Sequence, residues 1–163
     1  MRRGWREMLL ALLLIGSGPA WLSAQDKSTA PKKEAVSDKE TLLLETLGAL
    51  AGAQLYQSYL NIGFIADGRA EGTYEEKDIQ QILSSVLTLM EALDKKLDQV
   101  GKLDLSKDDR EGIAEIRKLS GLLRLQADEL QAFWKTGDKA RADKYEKTRK
   151  EAWAGISKLL GLE

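Results

Sequence analysis

Six side chains in this sequence have the chemistry to hold something: Tyr59, Asp67, Tyr74, Trp134, Tyr145 and Arg149. Tyrosine and tryptophan carry an apolar ring with a polar tip. Arginine carries a planar fork of donors that suits a carboxylate or phosphate. With Phe64, Phe133, Asn61, Arg69 and Arg141 nearby, they form an aromatic and polar cluster suited to binding a small molecule or a partner. Arg149 also stands between Tyr145 and Trp153 at four-residue steps, with Gln54 and Gln126 expected near the same height. One cation among amides would anchor an anion. The simpler reading is a polar layer that sets register, or an arginine stacked on its aromatic neighbours with its head in water.

What is missing limits the chemistry more firmly. The 163 residues contain no His and no Cys. That removes the usual zinc sites, carboxylate-histidine iron sites, c-type haem attachment and a Ser-His-Asp triad. Disulfides are excluded too, so the core alone must hold the fold. The adjacent acids Asp108-Asp109, Glu75-Glu76 and Asp128-Glu129 read as solvated helix faces or first turns, where they favour the helix dipole. Acid–base catalysis needs two carboxylates facing one cleft, and no spacing here requires that. We therefore expect no enzyme, with no catalytic residue, no cofactor and no metal.

The cluster needs elements to position it, and these read as helices. After Pro31 there is no proline, and Ala, Leu, Glu, Lys, Gln and Arg dominate. Ser37 with Glu40 and Thr73 with Glu76 fit capping boxes, Ser106 with Asp109 a weaker one, and Asp138 a simple cap. Stops fall at Gly68 to Gly72, Gly101, Gly137 and Gly161. The spacing predicts helices near 38–67, 74–101, 107–135 and 139–160. Short connections make neighbours antiparallel, so the fold expected over 38–163 is an all-α, up-down-up-down four-helix bundle.

In the second helix Ile79, Leu83, Val86, Met90, Leu93, Leu97 and Val100 step by four and three, a coiled-coil-like seam, with Ile82 and Leu89 expected to widen it. The third should bury Ile113, Ile116, Leu119, Leu123, Ala127, Leu130 and Phe133 or Trp134. The fourth should bury Ala142, Tyr145, Ala152, Ile156 and Leu159. The first differs from these, because no charge occurs between Glu45 and Asp67. A membrane helix has that length, but Gln54, Gln57, Ser58 and Asn61 would be costly in lipid, so a bundle helix buried nearly all round is expected. Counting along antiparallel helices puts Gly48, Gly52 and Gly121 level with Trp153. That predicts a buried indole seated in a glycine-lined groove.

The front of the chain assigns a compartment. Arg2, Arg3 and Arg6 precede the apolar run Met8 to Ile15, then Gly16, Gly18 and Pro19, with Ala24 at the expected cut. This is the order of a secretory signal peptide over 1–24, and the polar, Pro31-containing segment 25–37 reads as a disordered tether. The chain kept after export would hold 22 basic and 25 acidic residues, with no basic face for nucleic acid. The expectation is an exported, periplasmic or secreted, non-enzymatic interaction or scaffold module of the cell envelope. Its partner is an unknown protein or small molecule, with membrane contact only if the signal segment stays uncleaved. The alternatives are a small-ligand-binding or sensor-like bundle using the aromatic end, or a membrane-associated helix protein.

Overall fold

Glycines, caps and apolar periodicity divide the chain into four α-helices: α1 Glu34–Ala70, α2 Glu76–Val100, α3 Lys107–Thr136 and α4 Lys139–Leu160. The computed structural model describes the backbone of residues 34–162 and the side chains of 39–162, and within these there is no strand. The expected signal peptide over 1–24 and the tether up to residue 33 lie outside the described residues.

Two of the four expected starts hold through their caps. Ser106 Oγ accepts from the Asp109 amide at 3.1 Å and donates to the Asp109 carboxylate at 2.5 Å. Asp138 accepts from the Ala140 amide at 2.9 Å. Each side chain satisfies an amide that the first helical turn leaves without a partner.

The other two starts differ. Helical backbone already begins at Glu34, inside the expected tether, so Ser37 is an interior residue of α1 and not its cap. At α2 the N-cap is Glu75, without a side-chain cap bond. Thr73 serves the preceding helix instead. Gly72 takes φ 67°, which only glycine adopts without strain. The amides of Gly72 and Thr73 then donate back to the carbonyls of Arg69 and Gly68 at 3.1 and 2.7 Å, closing α1. The Glu76 carboxylate, which a capping box would need, is held by Arg69 and Gln80.

One core unites the helices. Leu55, Ile62 and Ile65 of α1 meet Ile79, Leu83, Met90 and Leu97 of α2, Leu119 and Leu123 of α3, and Ile156 of α4. Neighbouring helices count in opposite directions. Gly52 faces Leu160 while Tyr59 faces Trp153, across α1 and α4. Asp94 pairs with Arg124 and Asp98 with Arg117, across α2 and α3. Leu119 lies on Gly155 while Glu129 binds Arg141 and Lys144, across α3 and α4.

Three packing expectations are corrected. Ile82, Leu89 and Leu159 are exposed, and Thr148 and Ser157 take buried places on α4 by bonding their hydroxyls to carbonyls of their own helix. Trp153 is 38% exposed and does not sit in a groove of Gly48, Gly52 and Gly121. Leu160 and Leu159 approach Gly52, while Gly48 and Gly121 face open space. The glycine that lets two helices close is Gly155, where a Cβ would lie 2.3 Å from Leu119 Cδ2. Finally, α1 is not buried all round. Leu42, Leu43, Leu50 and Phe64 are 63, 60, 65 and 53% exposed.

Candidate functional site

Four of the six sequence-selected side chains meet in one cleft. The last turns of α1 (Gly63, Ala66, Asp67, Arg69, Ala70), the end of α3 (Leu130, Phe133, Trp134) and the start of α4 (Ala142, Tyr145, Glu146, Arg149) border a half-open cleft of about 540 Å³. That lies within the usual range for small-ligand sites. The connection at Gly137, whose φ is 67°, brings the end of α3 against the start of α4. The αL closure at Gly72 leaves Asp67 and Arg69 at the mouth.

Inside the cleft the cations already have partners. Arg69 lies 4.8 Å from the Trp134 ring centroid and also pairs with Glu76. The Arg149 guanidinium donates to Glu146 at 3.2 Å. The charged lining of Asp67, Glu146, Arg69 and Arg149 cancels. Tyr145 forms part of the inner wall, and burial pushes its hydroxyl above the ordinary tyrosine range. Gln126, wholly buried beside it, draws that value part of the way back, yet neither amide atom of Gln126 reaches a well-formed hydrogen bond. Arg149 adds a weaker pull in the same direction. Both guanidinium groups of the cleft are thus held by carboxylates, and an anion entering it would have to displace Glu76 or Glu146. Among the described residues that line it, no nucleophile is poised on a base.

The remaining two residues fall outside the cleft. Tyr59 stands further along α1, stacked on Trp153 with ring centroids 5.4 Å apart, while Tyr56 flanks the same indole at 6.2 Å. Tyr74 lies over Gly68, where a Cβ would come within 2.2 Å of its ring. Tyr74 therefore packs the α1–α2 connection, and a glycine in the last turn of α1, six residues before an aromatic, was the signal for it. Gln54 does not join Arg149 either; its amide donates to Ser58 at 3.3 Å. Among the described residues no three His, Cys, Asp or Glu side chains converge as a metal site, and no helix is long and apolar enough to cross a membrane.

A second surface lay unread in the sequence. Leu43, Leu50, Gln57 and Phe64 follow one another at seven-residue steps, with Thr46, Ala53 and Leu60 between them. The steps run three, four, three, four, three, four, which is the spacing of a coiled-coil seam. This seam does not face the core. All of its members are exposed except Leu60, which is half-buried. The core-facing residues Ala51, Leu55, Ser58, Ile62 and Ile65 occupy another face of α1. Among the described residues the helix therefore has two seams, one covered and one bare.

Comparison with protein-family models, with curated proteins and with solved structures finds no match to this chain.

Proposed function

We propose that this chain is an exported, non-enzymatic interaction module of the cell envelope, an up-down-up-down four-helix bundle that works by contact through α1. One observation carries the reading: the bare seam of α1 is uncharged from Thr46 through Phe64 and holds large apolar side chains in water. Single exposed leucines need no explanation, but an aligned stripe of them marks a contact surface. The basic, apolar and small-residue order of the first 24 residues supports export. A photo-reactive amino acid placed at Leu50 in the native cells tests the role. It should give a protein adduct that the same group at Ala114, exposed on α3, does not give. Equal absence of adducts at both positions contradicts the proposal. N-terminal sequencing of the envelope fraction should begin near Gln25; a chain starting at Met1 contradicts cleavage.

A second reading rests on the cleft. A small aromatic carboxylate would bind beside Trp134 by taking Arg149 from Glu146, to which the guanidinium is bonded in the free cleft. Benzoate should raise the melting temperature and change Trp fluorescence in the native protein, and both effects should be lost in Arg149→Ala. No response at millimolar benzoate removes this class of ligand.

A further inference from the structure

The geometry points to a second copy of this chain as the occupant of the bare α1 seam, pairing α1 with α1. This rests on the proposed contact role of that face and names its partner. Spacing is the first reason. A seam stepping by three and four fits the same stepping on another helix, because each side chain then enters a hole between four of its neighbours. A copy supplies that match without any further requirement.

Charge is the second reason. From Thr46 to Ala66 neither the seam nor its flanks carry a charge; Ala49, Tyr56 and Gly63 border one side, and Leu47, Gln54 and Asn61 the other. Two copies thus meet without like charges opposed, in either direction. The outer faces of the other helices are different: α4 alone presents Lys139, Lys144, Lys147 and Lys150 to solvent. Such a face would bury cations against leucines, which is costly without paired acids.

Polarity along the seam is the third reason. Centring an antiparallel pair between Leu50 and Ala53 sets Leu43 against Leu60 of the copy and Leu50 against Ala53. It also sets Thr46 against Gln57, so these three pairs match polar with polar and apolar with apolar, while Phe64 at the end of the seam falls opposite Lys39 of the copy. The Thr46 hydroxyl already donates to the Leu42 carbonyl at 2.7 Å and the Gln57 amide to Asn61 at 3.0 Å, so the second amide proton of Gln57 is the one that can reach the threonine oxygen. For a stable pair the contact must bury about 1,200 Å² or more over both copies, the lower edge for a specific interface. The contact closes on itself by two-fold symmetry, so it yields a dimer and not a filament.

Sedimentation equilibrium of the protein purified from its own cells tests this. The expected particle contains two chains. Leu50→Glu should weaken the dimer by roughly a hundredfold or more with helicity unchanged, since Leu50 makes no contribution to the core. The chain has no native cysteine. Ala53→Cys therefore gives an independent reading that keeps the seam intact: a short bismaleimide should join two chains, while Ala114→Cys should not be joined. A single-chain particle at about 100 µM, a concentration that detects even weak pairing, overturns the proposal. So does a dimer that survives Leu50→Glu and gives no Ala53→Cys product. A single-chain particle whose Leu50 photo-adduct contains another protein, or residues 1–33 of its own chain, overturns self-pairing and leaves the contact role standing. A single-chain particle without any adduct overturns both.

Discussion

The two seams of α1 differ less in composition than in surroundings. Leu55 on the inner seam is wholly buried, and Leu50 on the outer seam, five residues away, is 65% exposed. Both lie in the same uncharged stretch, and both belong to a three-and-four repeat. Periodicity therefore tells which residues share a face, while the number of helices available tells which faces are covered. Three partner helices cover one side of α1 and none of the described residues covers the other.

The largest effect expected follows from that contrast. Leu55→Ala should cost about 2–5 kcal/mol, the range for emptying a core leucine site. Leu50→Ala, measured in dilute solution where pairing is absent, should stay within about 0.5 kcal/mol. Urea melts of the two variants check this, and equal losses would break the distinction between the seams.

Next come the glycines, which sharpen the same contrast between closed and open faces. Gly155→Ala forces a methyl against Leu119 and should destabilise by about 1–3 kcal/mol. Gly121→Ala places a methyl in open space on a helix and should stabilise by up to about 1 kcal/mol. Opposite signs in thermal melts are the expected result.

Trp153→Ala should cost about 0.5–1.5 kcal/mol, the worth of the stack on Tyr59, and less than Leu55→Ala. A larger loss in a urea melt would mean that the indole closes the α1–α4 seam more fully than its exposure indicates.

The smallest effect concerns Glu129, whose carboxylate is 4% exposed and is bonded by Lys144 at 2.5 Å and Arg141 at 2.9 Å. Hydrogen bonds from Lys144 first and Arg141 second hold it below the usual carboxylate range. A depressed folded-state value means that the stabilisation is complete above the unfolded value, about 4.3, and is lost as pH falls through the folded value. Glu129→Gln should flatten the acid side of a stability–pH curve below about pH 4, where Glu ordinarily titrates, and lower the plateau above it. An unchanged acid limb would contradict this.

Much of this was legible in the sequence, and the exceptions have physical causes. Gly137 and Gly161 both take positive φ, so their reading as helix stops required only glycine's freedom. Ser37 resembled a cap, but the run from Glu34 contains nothing that stops a helix, and a continuing helix needs no cap there. Thr73 resembled one too, but its amide was already committed to closing α1. The level of Trp153 was misplaced along α1, where the indole meets Tyr59 and not Gly52; the continuation of that helix to Ala70 accounts for about half of the shift. Gly121 was placed at the right level, near Leu119 and Gly155, but on the solvent side. Asp67, Trp134, Tyr145 and Arg149 share a cleft because three helix ends converge there, which their chain positions predicted. Arg69, expected beside the cluster, does line the cleft, while Glu146 was missed, since one surface charge looks like another in sequence until a wall forms behind it. The bare seam was missed for the opposite reason: an uncharged stretch suggests burial, and only the exposure of Leu43, Leu50 and Phe64 separates its two faces.

Thiol reactivity in intact cells tests most directly whether that bare face is a working surface. Ala53→Cys on the seam and Ala114→Cys on α3 are both exposed in the single chain. With purified, denatured protein the two should label with maleimide at the same rate. In the cell envelope Ala53→Cys should label at least tenfold more slowly than Ala114→Cys, because its face is covered, a protection worth about 1.4 kcal/mol. Equal rates in the cell would show the α1 seam bare where the protein works, and would contradict the account.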